Sequence, residues 1–157
     1  MKQTPDEQRI VQRMAPGVLS RQGFLGGDTR PLGEILATDR AAVERLGTTH
    51  AEIARVLREA YEQAVLAFGG QVTLAGGRLR AVWREAMGFI PSPWGDGARF
   101  PKGEVELTDP QTGRTLRYTP LSIHLIANYG FYQGRPSRYR LEPAELVELL
   151  PLDRRQE

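Results

Sequence analysis

The sequence predicts an α+β fold: N-terminal helices packed on a small antiparallel sheet of two hairpins, with two short C-terminal helices. Three observations predict it. Before residue 70, apolar residues recur at helical spacing. From residue 71 to 118 they alternate, as in strands with one buried face. After Thr119, helix-start signals return. Helices, then strands, then helices imply an antiparallel sheet covered on one face. At 157 residues the chain is long enough for a sizeable core. One domain is expected over 1–150, with a helical part at 1–47 and a core at 48–150. A charged tail follows over 151–157.

Thr4-Pro5-Asp6-Glu7 opens the first helix. Thr4 is the cap, Pro5 fits the first helical position, and Glu7 stands at the capping-box position. The helix is expected to stop near Met14, before Pro16-Gly17. Gly17 to Pro31 reads as a glycine-rich loop. Its Gly23-Phe24-Leu25-Gly26-Gly27 lacks the Lys-Ser/Thr ending of a phosphate loop. Leu32 to Leu46 reads as helix, with a break expected near Thr38-Asp39 because Asp39 is a good cap. Gly47 ends it. Thr49-x-x-Glu52 opens the clearest helix in the chain. Ile53, Val56, Leu57, Ala60, Tyr61, Ala64 and Phe68 line one side of it.

The period then changes. Val72 and Leu74 lead into Ala75-Gly76-Gly77, and Leu79, Ala81 and Trp83 alternate with charged residues, which predicts a hairpin. Gly88 to Gly103 is expected to be an irregular loop around Pro91-Ser92-Pro93-Trp94-Gly95-Asp96-Gly97. Glu104 to Leu107, a turn at Asp109 to Gly113, and Arg114 to Tyr118 make a second hairpin. Glu104, Glu106 and Arg117 are expected on its outward face, with Tyr118 turned inward. Thr119-Pro120 starts a short helix through Asn128, closed by Gly130, and Glu142-Pro143 opens the last one.

Composition excludes several classes. A charged fraction of 25% beside 40% hydrophobic residues is that of a folded chain, not a disordered one. No apolar run reaches the roughly 18 to 20 residues that span a bilayer, so no membrane partner is expected. The N-terminus has no apolar stretch of the kind that makes a signal peptide. With no cysteine there is neither a disulfide framework nor a thiolate metal site. The two histidines are far apart in sequence, and no metal site or cofactor is expected. These features favour the cytoplasm. They leave the oligomeric state open.

The functional lead is a run without acids. Pro110 to Leu141 contains Arg114, Arg117, Arg135, Arg138 and Arg140, together with His124 and several aromatics. Arginine forks and aromatic faces suit phosphate and nucleobases. Arg117 and Arg114 are accounted for by acidic neighbours on the hairpin. What remains is His124 and Asn128 on a short helix, then Phe131, Tyr132, Arg135, Arg138, Tyr139 and Arg140. The leading expectation is a binding module that contacts a polyanion, RNA or DNA, through this surface near 124–140. The alternative is a protein-interaction module anchored on Trp94 and Phe131-Tyr132. A third reading is a small metal-independent enzyme centred on His124, paired with His50 or Asp96 as acid and base. No nucleophile motif supports catalysis, so a binding role leads.

Overall fold

A computed structural model of the protein describes residues 3–153, so part of the expected tail lies outside the described residues. The fold is α+β. Helix α1 spans Pro5–Arg13, capped by Thr4 and Glu7 in a reciprocal capping box. Helix α2 spans Leu32–Arg45 without interruption. The expected break at Asp39 does not occur. Its carboxylate is occupied by Arg140 rather than by the backbone amides that a cap would serve. Helix α3 spans His50–Leu66, and the Thr49 side chain accepts from the Glu52 amide. The Glu52 carboxylate bonds Arg55 instead of closing the box.

Strands β1 (Gln71–Leu74) and β2 (Leu79–Arg84) form the first hairpin. Strands β3 (Phe89–Pro91) and β4 (Arg99–Pro101) pair with each other as a separate ribbon. The stretch expected to be irregular therefore carries its own small sheet. Three-residue strands that include proline leave no alternation to detect. Strands β5 (Glu104–Thr108) and β6 (Thr115–Tyr118) form the last hairpin. The main sheet runs β1-β2-β5-β6, all antiparallel. Helices α4 (Pro120–Tyr129) and α5 (Pro143–Leu149) complete the chain.

Alternation sorts the sheet into two faces. Leu79, Ala81, Trp83, Val105, Leu107, Leu116 and Tyr118 are buried. Helix α3 covers them, and the Tyr118 hydroxyl donates to the Leu57 carbonyl at 2.8 Å. Such a buried hydroxyl needs that bond, because an unpaired one costs about 1–3 kcal/mol. On the other face Glu106 lies 3.3 Å from Arg117 and 3.6 Å from Arg84, a cross-strand charge ladder.

The packing of the N-terminal helices differs from the expectation. Helix α3 carries the main packing on the sheet, and Val43 near the end of α2 joins it in the same core. Helix α1 and the start of α2 belong to a second core, formed by Met14, Phe24, Leu32, Ile35, Ile90 and Phe131. Helix α4 joins the two cores. Ile123 and Ile126 enter the first, Leu121 and Leu125 the second. An apolar helix buried on both sides is what its near-continuous Leu/Ile sequence calls for.

Candidate functional site

The run without acids is not acid-free in space. Arg114 pairs with Glu148. Arg117 meets Glu106. Arg135 places Nε 2.8 Å from Glu142 Oε1 and Nη2 3.0 Å from Oε2. Arg138 donates to Glu104 at 2.9 Å. Arg140 is buried between Asp39 and Glu142. The continuous basic surface expected over 124–140 is thus broken up by carboxylates from α2, β5 and the start of α5. The aromatic half of the expectation is also corrected. Phe131 and Tyr132 are each 1% exposed, Phe131 in the second core and Tyr132 in the first. Neither offers a ring to a base or a partner protein. The large apolar side chains that stand in solvent are others, Met87 and Phe89 among them.

Trp94, His124 and Asn128 do come together, at the loop between β3 and β4. The Asn128 amide donates to His124 Nδ1 at 3.1 Å, so His124 carries its proton on Nε2 and donates to Asp96 Oδ2 at 2.8 Å. The Tyr129 hydroxyl donates to the same oxygen at 2.5 Å, and the Ala98 amide donates to Oδ1 at 2.9 Å. Trp94 stacks on Tyr129 with ring centroids 4.3 Å apart and planes 5° from parallel. Burial disfavours the Asp96 carboxylate, but the bonds from Tyr129 and His124 outweigh it and hold the carboxyl well below its usual range. This geometry is a latch that fastens the 92–98 loop to α4. Both ring nitrogens of His124 are engaged in it. His50, the other suggested partner of His124, lies elsewhere, with Nδ1 2.7 Å from the Tyr132 hydroxyl.

Arg138 and Tyr139 belong to a different place. They line a cleft of about 380 Å³ with Arg21, Arg84, Lys102 and Gln133. That volume lies within the roughly 300–1,000 Å³ typical of ligand pockets. Phe24, Ile90 and Leu121 supply apolar surface. The four cations come from four segments: the loop after α1, the end of β2, the β4–β5 turn, and the loop before α5. Two carboxylates, Glu85 and Glu104, oppose them. Among the described residues, Arg21 and Lys102 make no ion pair, whereas Arg84 and Arg138 face Glu106 and Glu104. Arg138 also lies over the Tyr139 ring, 5.4 Å from its centre.

One wall of the cleft is built by close backbone contact between two loops. The Gly134 amide donates to the Phe24 carbonyl at 2.9 Å, and the Arg135 amide donates to Asp28 at 3.2 Å. A Cβ on Gly134 would lie 2.4 Å from the Leu25 carbonyl oxygen, and one on Gly26 would lie 2.7 Å from the Ser137 nitrogen. The glycine-rich loop after α1 therefore serves packing against residues 134–137.

His124, Asn128 and Trp94 do not line this cleft, and neither do Arg135 or Arg140. Sequence reasoning missed Arg21, Arg84, Lys102 and Gln133. Arg84 alternates with buried residues as any outward strand arginine does, and an isolated Lys102 or Arg21 carries no local pattern. The one signal that could have pointed to Lys102 is that it is one of only two lysines in an arginine-rich chain. Comparison with known proteins finds no matching family model, no matching curated protein and no matching solved structure. The geometry of the cleft therefore carries the functional reading.

Proposed function

We propose that the protein is a binding module for an anionic ligand, with single-stranded nucleic acid as its partner, received in the cleft lined by Arg21, Arg84, Lys102, Arg138 and Tyr139. The observation that carries this reading is the convergence of cations from four separate segments on one apolar-floored cleft. Cations already neutralised within the fold attract a ligand weakly. Arg21 and Lys102 remain available for phosphate, and Tyr139 under Arg138 supplies a stacking platform. The reading keeps Arg138 and Tyr139 from the sequence-based surface and moves its centre from α4 to the cleft. A cysteine-free chain, built without disulfides, suits work in the cytoplasm.

The test is the affinity for a fluorescent single-stranded oligonucleotide measured across a salt series. Affinity is expected to fall as salt rises. Arg21→Glu with Lys102→Glu is expected to flatten the slope of log K against log salt by about 1.4, two phosphate contacts at about 0.7 each. Both side chains are exposed, so the fold should survive. A wild-type protein that binds no oligonucleotide at low salt would sink the reading.

A further inference from the structure

The segment that leaves β2 separates the cleft from a second hollow. Glu85 and Ala86 line the cleft, and the same two residues line an open hollow of about 440 Å³. Trp83 lines that hollow with Tyr61, to which it stands edge-on at a centroid distance of 5.2 Å. Met87, Phe89 and Pro101 complete it.

Met87 is 96% exposed and Phe89 57%. Single apolar residues on a surface are ordinary, but apolar side chains grouped around a hollow mark a recognition surface. The backbone fixes their exposure. Gly88 stands between them with φ 95°, and its carbonyl accepts from the Lys102 amide at 3.1 Å. In β3 the alternation sends Ile90 into the second core and leaves Phe89 in solvent. Across the ribbon, the Arg99 guanidinium lies over the Phe89 ring, 4.9 Å from its centre.

The charges divide between the two cavities. Arg21, Arg84, Lys102 and Arg138 line the cleft. Among the described residues that line the hollow, Glu85 carries the one charge. A carboxylate disfavours phosphate there, whereas aromatic rings and a guanidinium plane suit the face of a base. Lys102 links the two places. It lines the cleft, and a Cβ on Gly88 would lie 3.8 Å from its Cδ, so its stem runs beside the hollow.

We infer that the hollow around Met87 and Phe89 is a second subsite for the same single-stranded ligand, taking bases by stacking while the cleft takes phosphates. The inference rests on the proposed nucleic-acid reading of the cleft. Continuity through Glu85 and Ala86 makes the occupant the strand that leaves the cleft. Because every base has an aromatic face, this subsite adds affinity without reading sequence.

The experiment measures dissociation constants by fluorescence anisotropy for single-stranded oligomers of about three and about eight nucleotides, across a salt series. Phe89→Ala is expected to weaken the longer oligomer about tenfold, the loss of one stacked base, and to leave the shorter one unchanged. The slope of log K against log salt should not move, because stacking neutralises no phosphate. Phe89→Trp keeps a stacking face and should retain the affinity for the longer oligomer. Met87→Ser, at a side chain almost wholly in solvent, should weaken the longer oligomer by about threefold, and it serves if Phe89→Ala fails to fold. Salt-dependent binding of both oligomers that neither variant alters overturns the second subsite and leaves the cleft standing. Equal weakening of both oligomers by Phe89→Ala overturns it too. A wild-type dimer that Phe89→Ala converts to monomer also overturns it, since a second copy then covers the hollow. Failure of both oligomers to bind wild type overturns the functional reading itself, and the inference with it.

Discussion

Arg140 and Asp39 form a two-pronged ion pair inside the molecule, Nη1 to Oδ2 at 2.5 Å and Nη2 to Oδ1 at 2.9 Å. They are 101 residues apart in sequence, with side chains 5% and 3% exposed. The pair ties α2 to the loop that forms one wall of the cleft. Burying charge is costly, and the cost is offset only when every donor finds a partner. Arg140 achieves this with Asp39, Glu142 and the Gln133 carbonyl together.

Removing one partner leaves the other charge stranded. Asp39→Ala is expected to cost about 3 kcal/mol, the lower end of the range for a broken buried pair. The Glu142 carboxylate, 3.0 Å from Nη2, keeps part of the compensation. Asp39→Leu combined with Arg140→Met should recover most of the loss, because two apolar groups leave no stranded charge. Urea unfolding of the single and double variants checks this. A single-variant loss below about 1 kcal/mol would mean that the pair behaves as a surface bridge.

Acid is expected to loosen the fold in a defined window. Hydrogen bonds from Arg140, opposed by burial and reinforced by Arg135, push the Glu142 carboxyl down to about 2. The Asp96 carboxyl is likewise held low, burial being outweighed by Tyr129 and His124. Both values are depressed by folding. Their stabilisation is complete above the ordinary carboxylate values of about 4 and is lost as pH falls through the folded ones. The urea midpoint should stay level down to about pH 5 and then decline toward pH 2. Asp96→Asn should make that decline shallower, and an unchanged decline would remove the latch from the account.

The same latch predicts an alkaline limb. Burial and the bond to Asp96 raise the Tyr129 hydroxyl to about 12. Its contribution is complete below the ordinary tyrosine value of about 10 and fades as pH climbs toward the raised one. Tyr129→Phe keeps the stack on Trp94 but lacks the hydroxyl. It should make this limb shallower, the rest coming from the buried Tyr118 and Tyr132, whose hydroxyls are also raised by burial, while leaving the near-ultraviolet dichroism of Trp94 in place. An unchanged limb would assign it to those other groups.

Phe68 follows the end of α3 with φ 49° and stands 93% exposed. It has left-handed geometry without the burial that would repay it. Phe68→Gly is expected to stabilise the protein by about 1 kcal/mol, because glycine adopts this conformation without a Cβ clash. The melting temperature should rise by about 2–4 °C. Phe68→Ala keeps the Cβ and should change little. A lower melting point for the glycine variant would show that the exposed ring has a partner.

Local structure was legible wherever neighbours in sequence decide it. The capping box at Thr4, the helix starts at Thr49 and Thr119, the apolar stripe of α3 from Ile53 to Ala64, and the inward phase of Trp83 and Tyr118 all follow from contacts within a few residues, whereas Phe68, expected on that stripe, lies past the end of α3 and is exposed. Asp39 was misread because a good capping residue and a good buried carboxylate look alike in sequence. Phe131 and Tyr132 were read as a binding surface because they stand among the arginines of the acid-free run. The segment instead turns back under α1, α2 and α3 and buries both rings.

The sequence by itself determined the α+β class, the order of the elements outside the β3–β4 ribbon, and which face of α3 and of the two main hairpins is apolar. These follow from backbone hydrogen bonding and from burial periods of two and 3.6 residues, which act at short range along the chain. Only the tertiary structure decided which charges remain available. It set Glu104 against Arg138, Glu142 against Arg135, and Asp39 against Arg140, and it gathered Arg21, Lys102 and Gln133 around one cleft. Ion pairing and cleft formation depend on distance through space, and segments far apart in the chain become neighbours only when the two cores close on α4.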